Sequence, residues 1–368
     1  MNQLSSYKKI LPVLLFFVVA MSACQAPKED TRPVPEETEM VEQSQATMIA
    51  HAKTHVYTLY TDLEQGSGFL INNKGDILTN AHVVLDASYI TVKNSDGQEF
   101  NGNVIGISET EDLAIVRVAE LAGKEPLAIK MEAVEVGTPV VAIGSPNDQS
   151  NTATTGEITA TDLDFSDQYQ YTDLYEMTAE IAQGSSGGPL IAADTGAIIG
   201  INSIILEEKP GSGYSIPLYT VWDQLSEWTE NPLVTEEQEV VLQDVKDAYF
   251  AEDLLESFIS AYYELLPYSL NDADSAYYLS YVLPGSQAEQ EATRLIEEYS
   301  GQNRMYDTVQ PTITRTEINE ESAVVTAEAE FTYHEETGDK STTVSHAGVY
   351  TVVIDEYGDY QITDIVNN

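Results

Sequence analysis

Between Val56 and Ile216 the chain is punctuated too often to form long helices. Runs rich in β-branched residues recur as Val56-Tyr-Thr-Leu-Tyr, Gly68-Phe-Leu-Ile, Asp76-Ile-Leu-Thr, Tyr89-Ile-Thr-Val-Lys, Asn103-Val-Ile-Gly-Ile and Ala114-Ile-Val-Arg-Val. A second group follows as Pro139-Val-Val-Ala-Ile, Thr155-Gly-Glu-Ile-Thr-Ala, Leu174-Tyr-Glu-Met-Thr, Pro189-Leu-Ile, Ala197-Ile-Ile-Gly-Ile-Asn and Gly213-Tyr-Ser-Ile. Turn signals such as Asn94-Ser-Asp-Gly and Asp194-Thr-Gly separate them, which is the pattern of short strands in an all-β domain. Two groups divided near residues 123–135 predict two packed six-stranded barrels within a domain spanning 48–228. From Pro217 to Trp228 the apolar positions take helical spacing, which predicts a helix capping the second barrel.

One turn in this pattern carries chemistry. Ala182-Gln-Gly-Ser-Ser-Gly-Gly-Pro-Leu-Ile holds a serine between glycines just ahead of a strand. Gly184 and Gly187 permit torsions that a side chain resists and let a carbonyl approach closely. Such a turn suits Ser186 as a nucleophile, with its own N–H and that of Gly184 converging on a developing oxyanion. It is equally the composition of a surface turn or a short linker, so a partner is needed. The chain has five histidines. His82 sits where a strand-like run ends in a polar turn, and Asp112 stands at the mouth of another strand, available to orient an imidazole through Nδ1. Histidine, aspartate and serine therefore follow one another at separations of 30 and 74 residues.

At these residues the sequence resembles the HtrA (Deg) family of trypsin-fold serine peptidases. The resemblance is carried by Gly66-Ser-Gly-Phe-Leu-Ile, Ile77-Leu-Thr-Asn-Ala-His-Val-Val, Asp112-Leu-Ala-Ile-Val-Arg-Val and Gly184-Ser-Ser-Gly-Gly-Pro-Leu. Val140-Val-Ala-Ile-Gly-Ser-Pro, Thr155-Gly-Glu-Ile-Thr-Ala, Ile199-Gly-Ile-Asn-Ser and Gly213-Tyr-Ser-Ile-Pro-Leu add to it. It implies a trypsin-type double barrel, His82 as base, Asp112 as orienting acid, Ser186 as nucleophile, and Gly184 and Ser186 as oxyanion donors, with no cofactor. It also implies that Thr178, Ala179, Glu180, Ile181, Ala182, Gln183, Ile201, Asn202, Ser203, Gly213, Tyr214 and Ser215 wall the pocket for the side chain before the scissile bond. No acid stands plainly at the floor, although Glu180 is close in sequence, so a small or medium apolar side chain is expected there. Ser185 replaces the family's usual asparagine, and Thr178-Ala-Glu-Ile-Ala departs from its usual Asp-Ala-Ala-Ile-Asn. In relatives, loops comparable to 146–154 and 161–172 switch the oxyanion turn, and homo-oligomers are common.

The N-terminus has Lys8 and Lys9, an apolar run from Ile10 to Met21, and the chain's single cysteine at Cys24. The run is short for a membrane span and reads as an export signal. Met21-Ser-Ala-Cys resembles a lipobox, implying a lipidated Cys24 after a signal over 1–24 and anchorage on the outer face of a bacterial membrane. A plain cleaved signal, giving a secreted protein, and a simple apolar anchor are the alternatives. One cysteine permits no internal disulfide, so the domains depend on core burial. Residues 25–47 are rich in Pro, Glu and Thr and predict a flexible acidic tether.

The formal charge is −45, from 16 basic and 61 acidic side chains. Such a field repels nucleic acid and anionic lipid from the folded body. It suits a solvated exterior in a saline or alkaline medium, with a dedicated role such as cation binding as the alternative. No run has the spacing of a calcium loop.

Residues 229–240 read as a linker, and 241–368 as a smaller α+β domain. Val241 to Leu266, Asn271 to Leu283 and Gln287 to Tyr299 predict three helices. Thr308–Ile318, Ser322–His334, Thr342–Asp355 and Asp359–Val366 then predict a four-stranded meander. The element order resembles the NTF2-like cone fold and not a PDZ module. Its tyrosines, among them Tyr262, Tyr263, Tyr277, Tyr278 and Tyr281, either fill a core, present a partner surface, or line a cavity for an unidentified ligand. His51 and His55 have metal-ligand spacing on a helix but lack a completing set. His334 and His346 read as a cross-strand pair. Two functions stay open: an anchored endopeptidase acting on exposed or misfolded polypeptides through an acyl-enzyme, and a surface binding or stress-sensing protein with an idle protease fold.

Overall fold

Alternate residues of the first strands bury on opposite faces, and this arrangement builds two cores at once. The computed structural model describes residues 37–108, 110–145, 152–205, 212–233, 248–272, 276–300, 304–335 and 341–367. Helix α1 (Glu37–Lys53) leads into β1 (Val56–Thr61), β2 (Gln65–Leu70), β3 (Lys74–Thr79), the helical turn α2 (Ala81–Val84), β4 (Ile90–Lys93), β5 (Glu99–Asn101), β6 (Asn103–Ser108) and β7 (Leu113–Ala122). These strands pair in the order β5-β4-β1-β2-β3-β7-β6 as an open half-barrel sheet and not as the closed barrel expected, since β5 and β6 at its two edges do not pair among the described residues. Seven strands stand where six were expected, because the segment between Lys93 and Val104 pairs separately as β5. Leu70, Ile77, Ala114 and Val116 fill the interior of this sheet. Their neighbours Phe69, Leu78 and Ile115 join Val141, Ile143, Ile191 and Ile201 of the second barrel in a shared core. With both faces buried the strands read as continuous apolar runs. Ile115→Ala would leave a cavity in that seam at about 2–5 kcal/mol.

The second barrel is closed, in the order β10-β13-β12-β11-β8-β9. It comprises β8 (Pro139–Gly144), β9 (Thr152–Ser166), β10 (Gln170–Met177), β11 (Pro189–Ala192), β12 (Ile198–Ile205) and β13 (Gly213–Pro217). Helix α3 (Leu218–Glu230) packs Leu218, Val221, Trp222, Leu225 and Trp228 on the shared core. It caps more than the second barrel: a Cβ on Gly106 of β6 would stand 2.3 Å from the Trp228 ring, so the glycine lets the indole lie against the first sheet.

Cys24 and residues 25–36 lie outside the described residues. Within the stretch read as tether, helix begins at Glu37. Further along the helix Thr47 and Ala52 are buried, and Met48 and Ile49 pack on the shared core. The Pro-Glu-Thr composition that predicts a tether therefore stops short of these apolar contacts.

The C-terminal domain contains α4 (Glu252–Asn271), a 3₁₀ turn (Tyr277–Tyr281), α5 (Gln287–Tyr299), and the meander β14 (Arg304–Ile318), β15 (Ala323–Glu335), β16 (Ser341–Ile354) and β17 (Tyr360–Asn367). The four strands and α5 fall where the period-2 and helical patterns place them. The expected helix from Val241 does not extend back from Glu252. Residues 241–247 lie outside the described residues, and Tyr249 and Phe250 are pinned non-helically by Gln98 and by stacking on Tyr360. The expected second helix shrinks to the 3₁₀ turn, since α4 itself runs on to Asn271. Tyr262, Tyr263, Tyr278 and Tyr350 are buried, with Tyr350 donating to Tyr263 at 2.5 Å, so these tyrosines fill the core. His334 and His346 are not opposite one another: His334 pairs with Ser341 and His346 with Ala329 in the β15–β16 register. The His334 ring instead meets Asp307 at 2.9 Å.

Residues from Pro35 onward form one compact unit, and polar side chains join its two halves. Lys124 Nζ reaches Asp359 at 2.5 Å and the Thr54 carbonyl at 3.0 Å. Asn94 donates to the Gly358 carbonyl at 3.1 Å and to Asp359 at 3.0 Å. Gln98 exchanges two hydrogen bonds with the Tyr249 backbone, at 2.9 and 2.7 Å. A cavity of about 1050 Å³ lies along this junction, walled in part by His55, Asp96, Phe258 and Tyr281.

Candidate active site

Asp112 opens β7 in the left-handed region, at φ 54°, a conformation that aspartate tolerates better than most side chains. It is fully buried. One carboxylate oxygen accepts from His82 Nδ1 at 2.9 Å and from the His82 backbone N–H at 3.0 Å. The other accepts from Tyr171 Oη and from Ser203 Oγ, each at 2.9 Å. Asn80, at the end of β3, donates to the Asp112 carbonyl at 2.8 Å and to Ser203 Oγ at 3.2 Å. The imidazole is therefore held by Nδ1 on a carboxylate, with Nε2 left to face outward. A third of its side chain, 34%, is exposed. Burial first, and then the Asp112 charge, push the Tyr171 phenol well above its ordinary range, so it stays a donor.

The serine turn hangs between β10 and β11. Gly184 and Gly187 take φ of 95° and 87°. A Cβ on Gly187 would stand 2.1 Å from the Ser67 carbonyl, so only glycine fits there. Ser185 N–H donates to Ala182, Gly187 N–H to Asn202, and Gly188 N–H to Ser185, at 2.9, 2.8 and 3.1 Å. Among the described residues, the N–H groups of Gly184 and Ser186 donate to no acceptor. Ser186 Oγ donates to the Ser203 carbonyl at 3.3 Å, and not to His82. Ser203 thus touches both the Asp112 carboxylate and the serine hydroxyl, and brings residues from the two barrels to one seam.

The remaining expected wall residues separate into two groups. Ala179, Ile201, Asn202, Ser203, Gly213, Tyr214 and Ser215 are buried. Asn202 Nδ2 donates to the Pro189 carbonyl at 3.0 Å and Ser215 Oγ to the Ile201 carbonyl at 2.9 Å, so these side chains brace the barrel. Tyr214 Oη donates to Glu176 at 3.2 Å. Thr178, Glu180, Ala182 and Gln183 are exposed and Ile181 half-buried. A Cβ on Gly213 would meet Met177 Cε at 2.8 Å, the Ala179 carbonyl at 2.9 Å and Ile181 Cγ1 at 3.2 Å. Two side-chain carbons and one carbonyl oxygen therefore close the space beside Gly213.

Tyr171, Asn80 and Ser67 were not singled out by the sequence reading. Ser67 carried a signal, a serine between two strand glycines, which marks close backbone approach. Tyr171 carried none, because its partner lies 59 residues away in the other barrel. No cluster of three or more metal-ligating side chains occurs among the described residues. His51 and His55 stack edge-on, 5.1 Å between ring centres.

Sequence comparison agrees with this layout. The trypsin-like peptidase domain family matches residues 66–201, and the TcaA protein NTF2-like domain family matches residues 251–366. HhoA of Synechocystis is 39% identical over 161 residues, covering 42% of this chain and 40% of its own length. The periplasmic serine endoprotease DegP of Escherichia coli is 35% identical over 172 residues, 45% of this chain and 36% of its own. This chain thus spans less than half the length of either relative. Among solved structures, a serine endoprotease from Yersinia pestis is 28% identical, with a TM-score of 0.45, covering 51% of this chain and 67% of that one. Residues 66–201 thus match a trypsin-like peptidase domain and are similar to HhoA and DegP, and residues 251–366 match an NTF2-like domain.

Proposed function

We propose that the chain is a serine endopeptidase in which Ser186 attacks a peptide carbonyl, His82 takes its proton and Asp112 holds the ring. The observation that carries this reading is the Asp112 carboxylate gripping His82 through both Nδ1 and the backbone N–H beside a serine turn with two unengaged N–H groups. For attack, the Ser186 hydroxyl turns from the Ser203 carbonyl toward Nε2. The Oγ–carbon bond forms as the proton passes to Nε2, and the carbonyl oxygen becomes an oxyanion before the Gly184 and Ser186 N–H groups. The imidazolium then protonates the leaving amine as the C–N bond breaks, leaving an acyl-Ser186 ester. Water repeats the sequence and frees the acid. Asp112 holds the ring throughout, its oxygens occupied by His82, Tyr171 and Ser203.

The Met177 and Ile181 side-chain carbons beside Gly213 support a small or medium apolar residue before the scissile bond. The substrates are exposed or misfolded polypeptides, and the location is extracytoplasmic, anchored through a lipidated Cys24. DegP's description as a periplasmic endoprotease supports the location, and the apolar run ahead of a lone cysteine supports the anchor.

The test is labelling of purified protein by a fluorophosphonate probe, wild type against Ser186→Ala. Labelling and casein cleavage by the wild type alone are expected. Equal labelling of both forms, or of neither, overturns the proposal.

A further inference from the structure

Ser67 lies in β2 of the first sheet, fully buried, and clamps the serine turn of the second barrel from below. Its hydroxyl donates to the Gly184 carbonyl at 2.7 Å while accepting the Ser145 N–H at 2.9 Å. Both directions are fixed, since a carbonyl oxygen can only accept and a backbone N–H can only donate. The Ser67 N–H donates to the Ser186 carbonyl at 2.8 Å, and the Ser67 carbonyl accepts Thr79 Oγ1 at 2.7 Å.

The consequence follows from which peptide planes are held. The plane joining residues 184 and 185 is anchored at its oxygen by Ser67 and at its nitrogen by the Ala182 carbonyl. The plane joining 186 and 187 is anchored at its oxygen by the Ser67 N–H and at its nitrogen by the Asn202 carbonyl. Between them lies the plane whose N–H belongs to Ser186, and before them the one whose N–H belongs to Gly184. A peptide beside a glycine at positive φ rotates at little steric cost. Pinning the planes on both sides removes that freedom from the Ser186 N–H, whose own plane is also held at its oxygen by the Gly188 N–H at 3.1 Å, and it fixes Gly184, which carries the other free N–H, at its carbonyl side.

We propose that Ser67 is a positioning residue that holds the oxyanion-binding form of the turn, acting through Gly184 and Ser186 without touching substrate. This rests on the reading of Ser186 as nucleophile. A preorganised donor pair gains its worth when negative charge develops, so loss of the clamp should appear in turnover and not in substrate binding.

The experiment compares the full wild-type chain with Ser67→Ala and with Ser67→Cys, which keeps a side-chain atom in place with a weaker donor. Three quantities are read: kcat and KM on a fluorogenic peptide cleaved by the wild type, inhibition by the aldehyde of the same peptide, and the melting temperature. For Ser67→Ala, kcat should fall about 10- to 10²-fold while KM stays within about twofold. Affinity for the aldehyde, whose hemiacetal places an oxyanion in the turn, should fall by the same factor as kcat/KM. Ser67→Cys should lie between, and decides the matter if the alanine form does not fold. A kcat within about twofold of wild type, a loss confined to KM, or unchanged aldehyde affinity would overturn the clamp. Failure of the wild type itself to cleave or label strikes the nucleophile assignment instead.

Discussion

Asp112 takes hydrogen bonds from His82, Tyr171 and Ser203, and each should leave a different mark when removed. Asp112→Asn swaps an acceptor for an amide and favours the wrong imidazole tautomer. Turnover at neutral pH should drop roughly 10⁴-fold with an unchanged circular dichroism spectrum, and full retained turnover would contradict the assignment. Tyr171→Phe removes one donor and leaves the others. We expect kcat to fall about 10-fold, the scale of one hydrogen bond to a charged group, with KM unaltered in steady-state assays. His82 and Asp112 were legible in the sequence because each ends or begins a strand-like run and histidines are few. Tyr171 was not, because a hydroxyl's partner across a barrel seam leaves no local pattern.

Among the elements, the β4–β5 turn carries a pH response. Asp96 is raised to about 7, first by burial and then by the Asp359 charge. Residue 96 as a whole is half-buried, but its carboxylate accepts the Tyr360 N–H inside the seam at 3.0 Å. An acid raised above its ordinary value contributes stability that is full below about pH 4 and lost as pH climbs through 7. Asp96→Asn, which keeps an acceptor for Tyr360, should raise the melting temperature at pH 8 to 9 and change it little at pH 4. His55 works in the other direction. Burial, and then Lys124, lower it to about 3, so its contribution is present above about 6.5 and lost as pH falls toward 3. His55→Gln should therefore flatten the acid side of the same melting profile. Helices were legible to the extent that their apolar spacing was regular. The start of α4 was misplaced because Tyr249 fits a helical stripe yet is held by Gln98, while its neighbour Phe250 stacks on Tyr360.

Across the whole molecule, the shared core between the barrels and the polar seam to the C-terminal domain make separate unfolding costly. Lys124 is nearly buried and its partner Asp359 likewise. Removing one partner strands the other's charge, at about 3–5 kcal/mol for a buried pair. Lys124→Met should lower the melting temperature and split one calorimetric transition into two, whereas the double change Lys124→Met with Asp359→Leu should recover much of the loss. A single transition of unchanged midpoint in Lys124→Met would show that the seam contributes little. The sequence alone determined the strand runs of both barrels, the glycine-flanked serine, the order of histidine, aspartate and serine, and the period-2 meander of the tail. These are local patterns, fixed by which residues alternate and which backbone torsions glycine permits. Tertiary structure alone decided that Tyr171 and Ser203 meet Asp112, that Ser67 grips the serine turn, and that Lys124 closes on Asp359. Those pairs lie between 59 and 235 residues apart, and only the docking of separately patterned units brings their polar atoms within bonding distance.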